Sequence, residues 1–234
     1  MSRVLVIPDV HLKKWMFDKV EEVLKSVEVD NIVCLGDLVD DWDAFYNMNW
    51  YEETLQRALD FDKAHPQMLW CYGNHDVSYL WQKNETGYLP HARDIVCKYM
   101  NKLKEQAGNR LQFVHRVDDT IFSHAGVVQE FLDKYLNTNI VNEETVDEIN
   151  NLGVSALWDE MSPIWTRPQD TPEYSVLNIP VFQVVGHTPV YEAILTNNDE
   201  VLSLDTFSTD YYNTPIGNQR FVVVDTVEHT FEGV

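Results

Sequence analysis

Five short blocks, together rich in Asp, His and Asn, each follow an apolar run of β-prone residues. They read Asp9-Val10-His11, Gly36-Asp37-Leu38-Val39-Asp40, Gly73-Asn74-His75-Asp76, Ser123-His124-Ala125-Gly126 and Gly186-His187-Thr188-Pro189. The runs cover residues 4–7, 32–35, 68–72, 120–122 and 181–185, and such runs are expected to form buried strands. Polar groups at the ends of several strands converge on one edge of a sheet, where open α/β folds place their sites. Hard and borderline divalent cations take this mixture of carboxylate, imidazole and amide oxygen. The pattern predicts a chain organised around a metal centre.

The segments between the blocks support an α/β reading. Residues 14–27 carry Phe17, Val20, Val23, Leu24 and Val27 on a helical stripe, so the chain opens as a βαβ unit with parallel strands. Further helices are expected over residues 51–64, 88–107, 129–136 and 143–158. Strands are expected over 111–115, 201–204 and 220–225, with Asp118-Asp119 turning a hairpin into residues 120–122. Prolines 163, 168, 172 and 180 mark a long irregular segment. With no repeat, linker or low-complexity tract, residues 1–234 are expected to form a single domain.

Taken in order, the five blocks resemble the signature of the calcineurin-like metallophosphoesterase superfamily: D-x-H, G-D-x-x-D, G-N-H-[DE], a late His and G-H-x. Together they run from Asp9 to Thr188. The S-H-A-G and G-H-T-P forms look most like the phage and bacterial members of its phosphoprotein phosphatase branch. This resemblance implies two mixed β-sheets sandwiched between helical layers. It also implies two divalent ions, most readily Mn, with Fe, Zn, Ni or Co as alternatives. Asp9 and His11 would bind the first, Asn74, His124 and His187 the second, and Asp37 would bridge them. Two such ions, about 3.5–4 Å apart, neutralise phosphate charge and activate an attacking water. His11 lies two residues from Asp9, so in a strictly extended strand both would face one side.

Beyond the ligands, the resemblance makes His75 the acid that protonates the leaving oxygen, oriented by the neighbouring Asp76. Asp40 is expected to sit behind the ligands, positioning one of them or a water. His65, His91, His115 and His229 belong to no block and are read as ordinary surface or core imidazoles. The chain also departs from the family pattern. Asp41-Trp42 stands where relatives place an Arg-Gly that grips phosphate, Leu12 replaces a Gly, and Asp76 replaces a Glu. A remaining clamp is expected at Arg167, within a Trp165-Thr166-Arg167 segment that resembles the W-x-R of phage and bacterial members. Asn74 would assist it in holding substrate.

Composition narrows the partners. A net charge of −21, without a basic run longer than Lys13-Lys14 or Lys102-Leu103-Lys104, disfavours duplex nucleic acid. No apolar stretch reaches the length of a membrane span and no signal peptide opens the chain, so the cytoplasm is the expected compartment. Cys34, Cys71 and Cys97 are expected to be free thiols. The expected activity is phosphomonoester hydrolysis on a phosphoprotein or nucleotide. The alternatives are a dinucleoside polyphosphate or nucleotide hydrolase, a metal-dependent phosphodiesterase, or a non-catalytic binding scaffold.

Overall fold

The computed structural model describes residues 1–42, 47–169 and 177–234. Part of the irregular segment marked by the prolines, at 170–176, and residues 43–46 lie outside the described residues. The first half runs β1 (Arg3–Ile7), α1 (Trp15–Val23), β2 (Asn31–Cys34), α2 (Met48–Ala64), β3 (Met68–Cys71), α3 (Asn74–Trp81), α4 (Arg93–Ala107) and β4 (Leu111–Gln112). It continues through β5 (Val114–Val117), β6 (Thr120–Ser123), α5 (Gln129–Tyr135), α6 (Glu143–Asn150) and α7 (Val154–Leu157). The last third holds β7 (Phe182–Val185), β8 (Ile194–Thr196), β9 (Val201–Ser203), β10 (Val222–Asp225) and β11 (Phe231–Gly233).

Two mixed sheets form. The first is ordered β11-β10-β1-β2-β3-β4, with β1 to β4 parallel and β10 antiparallel to β1. The second is ordered β5-β6-β7-β9-β8, with β6, β7 and β9 parallel and the two edges antiparallel. Strand alternation assigns each face. Val4, Val6, Val33 and Leu35 of the first sheet meet Phe122, Val184 and Leu202 of the second in one buried layer. Leu5, Ile7, Ile32 and Trp70 point the other way and pack with Phe17, Leu55 and Met100 from α1, α2 and α4. The expected architecture is therefore the observed one. No helix of the described residues is long and apolar enough to cross a membrane.

Several local expectations change. Residues 111–115 do not form one strand: Gln112 pairs with Cys71 in the first sheet, whereas Val114 pairs with Ser123 in the second. The crossing is held by Asn150, whose Oδ1 accepts from the N–H groups of Phe113 at 2.9 Å and Val114 at 3.0 Å. The helix expected over 143–158 is two, α6 and α7, with Gly153 capping the second. Residues 74–81, read simply as following a strand, form α3.

Candidate metal centre

All five blocks begin within three residues of the C-terminal end of a parallel strand: β1, β2, β3, β6 and β7. Asp9 and His11 lie beyond β1, not within it, and His11 and Leu12 take φ values of 43° and 58°. The turn thus corrects the extended-strand reading. Left-handed backbone, rather than strand alternation, brings both side chains to the centre. The glycines leave room for carboxylates. A Cβ on Gly73 would fall 2.0 Å from Asp37 Oδ1, and one on Gly186 would fall 2.0 Å from Asp9 Oδ1.

Ligand atoms of Asp9, His11 and Asp37 gather in one group, and those of Asp37, His124 and His187 in a second. Asp37 belongs to both. In the first group the His187 backbone N–H donates to the Asp9 carboxylate at 3.0 Å. His11 Nδ1–H donates to the Asp40 carbonyl at 2.8 Å, which leaves Nε2 toward Asp37 Oδ2 at 3.8 Å. In the second group His124 Nδ1–H donates to the Leu35 carbonyl at 2.9 Å. Its bare Nε2 then faces Asn74 Oδ1 at 2.8 Å, His187 Nδ1 at 3.0 Å and Asp37 Oδ2 at 3.3 Å.

These are donor atoms in search of a cation. Burial pushes His124 down to about 3, so its imidazole is neutral and suited to ligation. Burial, with Asp205 and Asp37 nearby, pushes the Asp9 carboxyl well up; burial does the same to Asp37, with Asp76 and Glu85 adding to it. Closely set buried carboxylates and lone-pair nitrogens repel one another unless positive charge lies between them. The residues present therefore fit two cations that share Asp37.

His75 lines the same cavity, but its orienting carboxylate is not Asp76. His75 Nδ1 lies 2.9 Å from Asp40 Oδ2 and 3.5 Å from Glu85 Oε1. Asp76 accepts instead from the backbone N–H groups of Asp37 (2.9 Å), Leu38 (2.8 Å) and Gly73 (3.0 Å). As the third residue of α3 its carboxylate satisfies the Gly73 N–H at the helix start and ties that helix to the turn after β2. This replaces the expected catalytic role of Asp76 with a structural one.

A family model described as calcineurin-like phosphoesterase matches residues 2–214. The chain belongs to the calcineurin-like phosphoesterase family. No curated protein matches it. Among solved structures, it is similar in fold to the cold-active protein-tyrosine phosphatase of a psychrophilic Shewanella species. The two share 17% identity and a TM-score of 0.60, over 100% of this chain and 80% of that one. A protein serine/threonine phosphatase from Saccharomyces cerevisiae gives a TM-score of 0.61 at 11% identity, over 99% of this chain and 79% of that one.

As a calcineurin-like phosphoesterase, the chain hydrolyses phosphate esters in a family that depends on two metals. Its cavity of about 430 Å³ is lined by His11, Asp37, Asn74, His75 and His187 together with Lys13 and Arg167. Arg167 Nη1 donates to Thr188 Oγ1 at 2.7 Å and to the His187 carbonyl at 3.1 Å, which places the guanidinium beside the last block. Asp41, in the position of the family's Arg, pairs with Lys13 Nζ at 3.1 Å, and both side chains face the cavity. One Asn74 amide N–H is engaged by Glu85 Oε2 at 2.6 Å, which turns Oδ1 toward His124.

Three participants escaped the sequence reading: Lys13, Glu85 and Asp205. Asp205 follows β9, another parallel strand, and is buried beside Asp9 with both oxygens bonded to Ser208. Burial pushes it up to about 6. An acid within two residues of an apolar run was a usable signal, similar in kind to the one at Asp9.

Proposed function

We propose that this chain is a phosphomonoesterase of the phage and bacterial serine/threonine phosphatase type. It would act in the cytoplasm as one domain with two divalent ions, manganese first among them. The observation that carries this reading is Asp37, shared by two groups of ligand atoms, with His75 and its Asp40 partner beside them. Asp9 and His11 would hold one ion, and Asn74, His124 and His187 the other, with Asp37 common to both. When bound, such ions offset phosphate charge and activate the attacking water.

The chain's own groups divide the remaining work. With Nδ1 committed to Asp40, His75 has Nε2 left to give a proton to the departing oxygen. Burial alone would push this imidazole down, but in the metal-free chain the Asp37 charge, the Asp40 hydrogen bond and Glu85 outweigh it and raise it. Arg167 and Lys13 supply positive charge on the cavity wall. Acids at Asp41, Glu85 and Asp210 on the same wall favour a substrate with one phosphate over a polyphosphate. The net charge of −21 disfavours duplex nucleic acid, and free Cys34, Cys71 and Cys97 support a reducing compartment.

Turnover of p-nitrophenyl phosphate by chelator-treated protein, before and after manganese is restored, tests the reading. Metal-dependent hydrolysis is expected. No turnover with Mn, Fe, Zn, Ni or Co would leave the non-catalytic scaffold in its place.

A further inference from the structure

A wall of aromatic rings stands at the edge of the catalytic cavity. Trp42 lines the cavity together with His11 and His75 and is 41% exposed. Its indole N–H donates to the Thr209 carbonyl at 3.0 Å, which fixes the ring plane and occupies its single polar group. Tyr211 lies against Trp42 with ring centroids 6.0 Å apart, and Tyr212 follows at 5.5 Å from Tyr211. These two tyrosines are 70% and 83% exposed.

The segment that carries them is built, not loose. Ile216 N–H donates to the Ser208 carbonyl and Asp210 N–H to the Thr214 carbonyl, both at 2.9 Å. The Asp210 carboxylate also accepts from the N–H groups of Tyr212 (2.8 Å) and Thr214 (2.9 Å). Thr209 and Pro215 form a β-bridge that closes the turn. Its base is anchored beside the metal groups, because Ser208 binds both oxygens of Asp205. A hydrogen-bonded turn thus holds Tyr211 against Trp42, the ring that lines the cavity.

Resting on the phosphoesterase reading above, we propose that Trp42 and Tyr211 form a subsite for a planar aromatic leaving group. With its N–H engaged, the indole can offer a ligand only π surface and apolar edge, which selects flat rings through stacking. Continuity with the cavity makes the occupant part of the substrate whose phosphate reaches the metal groups. The nearby acids Asp41 and Asp210 oppose further negative charge on that leaving group. The substrate class is therefore a monophosphate whose ring lies close to the ester, as in a phosphotyrosyl side chain or a nucleoside monophosphate.

Competitive inhibition of p-nitrophenyl phosphate turnover by phenylphosphonate and methylphosphonate tests the subsite without involving leaving-group chemistry. In the manganese-loaded protein phenylphosphonate should bind roughly tenfold more tightly. In Trp42→Ala the ratio of the two inhibition constants should fall toward one, in Tyr211→Ala it should fall part of the way, and Trp42→Phe should restore most of it. Phosphotyrosine peptide and adenosine monophosphate, added as competitors, separate the two sources. The true class loses its advantage in Trp42→Ala, and neither losing it would overturn the proposal. Equal inhibition by the two phosphonates in the unaltered protein overturns the aromatic subsite while leaving the phosphoesterase reading intact. Absence of turnover and of phosphonate binding alike would overturn both.

Discussion

The Nδ1 atom of His75 lies 2.9 Å from Oδ2 of Asp40, whose other oxygen accepts from the hydroxyls of Tyr51 at 2.7 Å and Tyr79 at 2.6 Å. Asp40 is buried, and these two hydroxyls hold its carboxylate in one plane relative to the imidazole. A proton donor held in this way presents Nε2 in a fixed direction. His75→Asn should lower turnover by roughly a hundredfold or more while leaving metal content intact. Asp40→Asn should lower it in the same direction. Esters with good leaving groups should suffer less, since they need the proton less, and equal losses across leaving groups would assign His75 to phosphate binding.

Because Asp37 sits in both ligand groups, metal titration should show two ions per chain. Asp37→Asn removes a shared negative charge and should weaken both. Anomalous diffraction from manganese-soaked crystals checks the count, and a single ion at saturation would contradict a shared centre.

Glu85 Oε2 receives the Asn74 amide at 2.6 Å and so decides which way Asn74 presents its oxygen. Outer partners of this kind typically alter metal affinity by about 10–100-fold. Glu85→Leu should weaken the ion on the Asn74, His124 and His187 side by roughly tenfold, while Glu85→Gln, which keeps an acceptor, should retain most of the affinity. Calorimetric metal titration reads this without any assay of activity.

Arg167 is the cation expected to grip phosphate, and Lys13, paired with Asp41, lies on the same cavity wall. Removing a charged hydrogen-bond partner typically costs about 1.5–3 kcal/mol. Arg167→Ala should therefore lower kcat/KM by at least roughly tenfold. Wild-type behaviour would shift the role to Lys13, with Lys13→Met as the next measurement.

His115 tests the core and not the site. It is buried, its Nε2 lies 2.9 Å from the Trp70 carbonyl, and burial pushes its imidazole down to about 4. Its folded value lies below its unfolded one, so between the two the unfolded chain binds the extra proton. The stability it permits is full above about pH 6.5 and is lost as pH falls toward 4. For this group alone the loss between pH 7 and 5 should be about 2 kcal/mol. Urea unfolding of metal-free protein at both pH values should show a smaller difference in His115→Gln.

Much of this protein was legible from local sequence. A ligand must follow its strand closely, so apolar runs such as Val4 to Ile7 and Phe182 to Val185, each followed by a polar block, announced both the parallel strands and the edge where the blocks gather. The two-sheet architecture came from the family resemblance, and the structure shows the two buried faces behind it, one against the second sheet and one against helices. What stayed hidden depends on contacts between distant segments. Sequence adjacency suggested Asp76 as the partner of His75, but as the third residue of α3 its carboxylate is drawn to unsatisfied backbone N–H groups at the helix start. Asp40 takes its place from 35 residues upstream because the left-handed turn at Asp37 and Asp40 swings it there. Glu85 and Lys13 reach the cavity from segments whose local pattern resembles an ordinary loop. Local pattern was enough to find the five strands that precede the blocks and the donor atoms that follow them, because both lie within a few residues of each other. Only the tertiary structure decided which atom faces which, because a hydrogen bond spanning dozens of residues has no local signature.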